Sequence, residues 1–378
     1  MKIGKIQSLK FAVFVLATIA GVLSFSGGDV HAAAKTWTDT SGDHQFNTAA
    51  NWSPSGVPSN GDSLVFNNTS GSSISVQNNI SSLSVSGITM NGTKAIGIVT
   101  NNALTVTGDI TSTNTDSANI SGSITLGADV TVTNVGLYDA TTKTLALGGH
   151  SLTLKTDSTY PTTTIAVAQD ITGAGTFNVD VRSAVSLFLQ PTNTYSGTTN
   201  IISGQVTTQG ANSSNTLFGS SSIVVSPSGT LTLAAKGATW TFSNPISLEA
   251  AVVGNSGFLD SQLYIWADLP NSVINVPNIT LNGDARFALN ALSASGTVVN
   301  LAGIQANGHC IQYGDENNSN ADEFQNGPEA CSIGDDTVIP GVPNTGGSAG
   351  KNYFAGVVAL VAIGIGSAFG LKYKFARR

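Results

Sequence analysis

Two cysteines, Cys310 and Cys331, lie towards the C-terminal end of a 378-residue chain, and seven of its 22 acidic residues crowd between positions 309 and 336. In an oxidising compartment a thiol pair at this spacing is predicted to form a disulfide. Closing such a loop contributes about 3 kcal/mol by lowering the entropy of the unfolded chain. Inside the loop, Asp315, Asn317, Ser319, Asp322 and Glu323 offer oxygen atoms at nearly alternating positions, the ligand type that Ca2+ takes. The run departs from the EF-hand pattern, with Asn320 where the sixth position has Gly and Asn326 where the twelfth has Glu. The competing reading is a solvated acidic hairpin that holds no ion.

Other candidate chemistry is sparse. Asp180-Val181-Arg182 and Asp284-Ala285-Arg286 each place an acid two residues before an arginine. Such positions share one face of a strand, which predicts an exposed ion pair worth under ~1 kcal/mol. His44, His150 and His309 show no metal-ligand spacing, and no GxSxG, HExxH or phosphate-loop pattern occurs. Glycoside hydrolysis wants two carboxylates about 5–10 Å apart. Lyase chemistry wants a calcium-holding acid cluster beside a base. Neither is recognisable, so no catalytic residue is assigned and no cofactor is expected beyond a possible Ca2+.

The elements that must carry these residues begin with the two ends. Residues 1–10 hold Lys2, Lys5 and Lys10 and no acid, residues 11–25 are apolar, and Val30-His31-Ala32-Ala33-Ala34 is small. A basic head, a short apolar middle and a small-residue site predict a secretory signal peptide over residues 1–34, cut after Ala32 or Ala34. At the other end residues 353–371 are 19 positions without a charge, about 28 Å as a helix and enough to span a bilayer. Lys372, Lys374, Arg377 and Arg378 follow in residues 372–378 and are expected to stay cytoplasmic. Together with Lys351 these ends hold eight of the 15 basic residues, although the whole chain already carries a net charge of −7. That acidic balance excludes nucleic acid as a partner.

Just before the apolar span, within residues 337–352, stands Val342-Pro343-Asn344-Thr345-Gly346. Motif, span and basic tail together resemble the cell-wall sorting signal of Gram-positive surface proteins, in which Pro343, Thr345 and Gly346 match the LPxTG-type pentapeptide and Val342 replaces its Leu. The resemblance implies export, attack by a sortase on the Thr345 carbonyl, and transfer of Thr345 to a peptidoglycan amine. A plain single-pass anchor is the alternative.

Between the ends almost nothing has helical periodicity. Short alternating runs such as Leu104-Thr105-Val106-Thr107, Leu152-Thr153-Leu154 and Leu231-Thr232-Leu233 are separated by Gly, Asn, Asp and Ser clusters. This predicts many short strands and tight turns, in either a β-sandwich array or a parallel β-helix. No linker interrupts residues 35–306, which suits a solenoid of roughly 20–25 residues per coil. Within residues 192–233, Thr194-Tyr195-Ser196-Gly197-Thr198-Thr199-Asn200-Ile201-Ile202-Ser203-Gly204, then Leu217-Phe218-Gly219 and Gly229-Thr230-Leu231-Thr232-Leu233, resemble the passenger-associated β-strand repeat of autotransporters. That likeness implies a right-handed parallel β-helix. Residues 35–66, with Trp37, Trp52 and Phe66, resemble the aromatic opening segment of secreted β-helix proteins, and the tryptophans are expected to be cap core.

The expected molecule is therefore all-β: a β-helix ectodomain with an N-terminal cap, an acidic disulfide-closed loop over residues 307–336, and one C-terminal transmembrane helix. Its expected role is that of a wall-anchored adhesin or structural surface protein meeting host cells, neighbouring cells or glycans. The runner-up is a polysaccharide lyase or glycosidase on the same scaffold.

Overall fold

The computed structural model describes residues 32–331 except positions 70, 139–142, 158–163, 183–185, 190–192, 209–217, 236–238, 251–261, 268–270, 290–295, 314–323 and 329. All of them belong to one compact unit, Met1–Cys331. The alternation of residue types becomes alternation of burial. Ala118–Leu126 buries every second side chain and leaves those between half-buried. Ile96–Val106 does the same at both of its ends, on either side of the exposed Asn101.

Most strands pair in parallel with the strand one coil further on, with register shifts at Val179/Asp180, Ile201/Ser203 and Thr100/Leu104. One inward column can be followed from Leu64 through Ile88, Ile110, Val132, Leu154, Val179, Ile201, Val225 and Leu248 to Leu281. A second runs from Val76 through Ile98, Ile120 and Leu137 to Val167. Near the C-terminal end a third side of the coil stacks Trp240, Ile274, Val299 and Phe324. Like residues above like residues fill the interior with aliphatic chains, each worth roughly 1.5–3 kcal/mol over its exposed state. The fold is a parallel β-solenoid. The sandwich alternative fails because its sheets are antiparallel, whereas here the sole antiparallel pairing among the described residues joins Ala34–Trp37 to Trp52–Ser53.

Corners are made by glycine and asparagine. Gly92 has φ 139°, and a Cβ there would lie 2.1 Å from the Asn68 carbonyl oxygen. Buried Asn114 and Asn134 donate to the carbonyls of Lys94 (2.7 Å) and Ser112 (3.2 Å), so each carboxamide ties its corner to a carbonyl of the preceding coil.

The N-terminal end is closed. At the first coil Trp37 and Trp52 are buried with their rings 4.9 Å apart, and Phe46 and Phe66 pack on the pair. The Trp52 indole donates to the Phe46 carbonyl at 2.9 Å. The tryptophans are cap core, as the sequence led one to expect, and an open sheet edge is thereby covered. The apolar span 353–371, the basic tail and residues 1–31 lie outside the described residues. Among those described, no helix is long and apolar enough to cross a membrane.

Candidate functional site

The Cys310–Cys331 pair is a disulfide. It clamps the last turn onto the last rung, where the Cys331 N–H donates to Ile311 O at 3.0 Å and the Tyr313 hydroxyl to Pro328 O at 3.0 Å. Phe287, Tyr313 and Phe324 pack beneath it. Asp284, Cys310 and Cys331 form the one group of three potential metal ligands among the described residues. Because the two sulfurs are bonded to each other, neither offers the thiolate a metal would need, and Asp284 instead accepts the Cys310 N–H at 3.1 Å. The five calcium candidates Asp315, Asn317, Ser319, Asp322 and Glu323 lie outside the described residues, as does the pentapeptide Val342–Gly346.

The acids elsewhere hold turns together. Asp109, in Gly108-Asp109-Ile110, accepts the Thr131 N–H at 2.8 Å, and Asp129, in Ala128-Asp129-Val130, accepts the Ser151 N–H at 2.8 Å. Asp284 repeats the device, a corner carboxylate taking an amide from the next coil. In the cap, Asp43 binds the Thr48 hydroxyl at 2.6 Å and the Gln45 N–H at 2.9 Å, and these bonds hold its carboxyl well below the ordinary range.

The predicted Asp–Arg couples do not form as drawn. Asp180 closes the strand Thr176–Asp180, and Arg182 lies past its end; Asp284 precedes the strand Ala285–Leu289 that holds Arg286. Alternation across a strand end does not place i and i+2 on one face. Asp180 instead lies 3.4 Å from Lys155 and accepts the Ser203 hydroxyl at 2.9 Å. Arg286 is buried at 7% exposure rather than exposed, and Asp284 lies 3.6 Å from His309.

What the sequence reading missed is the outer face of the sheet that carries the first inward column. Thr89, Thr111 and Thr133 stand above one another. Beside them Asn91 donates to Asn67 at 3.1 Å, and Thr113 to Asn91 at 2.8 Å. Further on, Asn178 donates to Thr153 at 3.1 Å and Asn200 to Asn178 at 2.8 Å. A carboxamide has two N–H donors and two acceptor lone pairs, so a rung that uses one of each leaves one of each for solvent. Parallel coils repeat these groups about every 4.8 Å. Among the described residues the one ion pair on this face, Lys155–Asp180, cancels itself. The available signal was recurrence of Asn or Thr at offsets of 22 and 24 residues.

One outward face is covered. Thr207, Thr232, Tyr264 and Ala288 form a register column whose Thr207, Thr232 and Ala288 are 8%, 1% and 2% exposed. Burial pushes the Tyr264 hydroxyl up to about 12. Along the chain Leu248 and Leu263 are 15 positions apart, whereas their register partners Val225 and Leu231 are six apart.

No protein-family model, curated protein or solved structure matches this chain. The segment that resembles the passenger-associated repeat contributes the strands Thr198–Thr208 and Ser222–Ala235, paired from Thr198–Ser222 to Thr208–Leu233.

Proposed function

We propose that this chain is an exported surface protein, held in the cell wall, that displays its solenoid as an adhesin or structural element for contact with cells, matrix or glycans. The observation that supports it most is the outer face without net charge: repeated hydroxyl and carboxamide groups, with one donor and one acceptor to spare at Asn91 and at Asn178. Neutral polyols are recognised by such groups, and each of these coil-to-coil bonds also stiffens the scaffold that presents them. The acids point the same way, since those at Asp109, Asp129 and Asp284 are tied to backbone amides rather than gathered in a groove. The winding is taken as right-handed, the hand general to parallel crossovers. Anchoring by sortase rests on Val342–Gly346 with the apolar span and basic tail behind it.

A second reading, a carbohydrate-active enzyme on this scaffold, draws on the covered face where Tyr264 and the buried Arg286 lie on neighbouring rungs. One experiment separates the two. Incubate the purified protein with an array of neutral and acidic polysaccharides, and record both saturable binding and the chain length of the glycan. Binding to neutral glycans that Asn200→Lys abolishes, with no shortening, supports display. Shortened glycan that persists in that variant supports the enzyme. Neither binding nor shortening overturns both glycan readings.

A further inference from the structure

The first coil carries a buried carboxylate. Asp62 is 2% exposed. Its Oδ2 accepts the Ser59 N–H at 2.9 Å and the Ser59 hydroxyl at 3.1 Å, and its Oδ1 accepts the Ala33 nitrogen at 2.8 Å. Among the described residues no cationic side chain lies within ion-pair distance of it; the nearby Lys35 donates its ammonium to Pro54 O at 3.1 Å. A carboxylate removed from water to this degree calls for a cation as well as hydrogen bonds.

We infer that signal peptidase cuts between Ala32 and Ala33, and that the α-ammonium so created at Ala33 is the missing counter-ion of Asp62. This rests on the export reading above. Hydrolysis adds one water across the Ala32–Ala33 peptide bond, leaving a carboxylate on Ala32 and an amine on Ala33 that is protonated at neutral pH. The nitrogen already placed 2.8 Å from Asp62 Oδ1 thereby gains a positive charge without having to move. Small residues at both preceding positions allow this cut, Val30 and Ala32, and equally allow a cut after Ala34, with Ala32 and Ala34. The second cut would remove Ala33, whose nitrogen serves Asp62 and whose carbonyl accepts the Ser63 N–H at 3.0 Å. It would also remove Ala34, which pairs with Ser63 in the first parallel rung. Only the cut after Ala32 frees Ala33 at its chain end while the first rung stays whole. Ala32 itself is exposed, and none of the hydrogen bonds among the described residues of the cap uses it.

The test is to express the full precursor in a Gram-positive secretion host and determine the first residue of the mature protein by N-terminal sequencing and intact mass. Ala33 is expected. A start at Lys35, or at any other residue, overturns the inference and leaves export standing. A chain that keeps residues 1–31 overturns the export reading itself. A second measurement isolates the charge. Mature protein starting at Ala33 is compared with the same protein carrying one extra Gly before Ala33, each with and without Asp62→Asn. The extra residue turns the ammonium at this position into a neutral amide. It should lower the melting temperature of the Asp62 protein by a few degrees and leave the Asp62→Asn protein unshifted. Equal melting of the two Asp62 proteins would show that the ammonium is not the counter-ion, whatever the cut.

Discussion

Close approach of backbone to backbone decides what a single residue can be in this solenoid. Gly197 has φ 135°, and a Cβ on it would lie 2.1 Å from the Gly175 carbonyl oxygen one coil below. Backbone cannot rotate out of the way as a side chain can, so Gly197→Ala should cost roughly 3 kcal/mol. Gly149, at φ 91° with nothing within 4 Å of its would-be Cβ, is the control; alanine there meets only backbone strain, about 1 kcal/mol. Urea unfolding of the two variants checks the order, and equal losses would show that the inter-coil contact is not what requires glycine. Tyrosines give the alkaline limit. Burial raises the Tyr264 and Tyr313 hydroxyls from the ordinary 10.0 to about 12. A raised pKa in the folded state means that the neutral form is favoured there, so this stability is complete below pH 10 and is lost as pH climbs towards 12. Melting temperature should fall over that window, and Tyr264→Phe together with Tyr313→Phe should flatten the fall.

At the scale of elements, stability in a solenoid is a sum of coils and the contacts between neighbours. The disulfide acts on the last of these, holding the strand Ile311–Tyr313 and the turn after Phe324–Gln325 together. Reduction should therefore speed hydrogen exchange at Ile311 and Tyr313 while leaving Ile110–Ser112, many coils away, unchanged. Uniform acceleration across both would mean that the coils unfold as one unit. This locality also explains what could be read in advance. Strands such as Ala118–Leu126 were legible because their alternation is local, and Trp37 and Trp52 because large apolar side chains at an end must cover it. The Asn67–Asn91–Thr113 ladder was not, because its partners are a full coil apart and nothing in the intervening residues marks them as neighbours. The Asp–Arg couples misled for a related reason: the two-residue rule holds inside a strand, and both pairs straddle a strand end.

At the scale of the whole molecule, the proposed role depends on where the chain is tied. The compact unit ends at Cys331, and Thr345 stands 14 residues further along the chain, so a covalent bond at Thr345 would tie the chain beyond the disulfide. In the proposed transfer a sortase thiolate attacks the Thr345 carbonyl, the Gly346 amine leaves, and a cell-wall amine then displaces the sulfur, so the peptide bond lost is replaced by an amide to the wall. Pro343 favours the extended substrate backbone this requires, and Gly346 leaves the scissile bond open. Muramidase digestion of the wall should release a C-terminal peptide that ends at Thr345 and carries a cross-bridge remnant, with Thr345→Ala moving the protein out of the wall fraction. A Thr345–Gly346 bond found intact in the membrane fraction would make residues 353–371 the permanent anchor. The solenoid would then be displayed from the membrane rather than from the wall polymer, and its outer face without net charge would have to meet partners inside the wall's own thickness. Glycans of the wall itself would become the first candidates for that face.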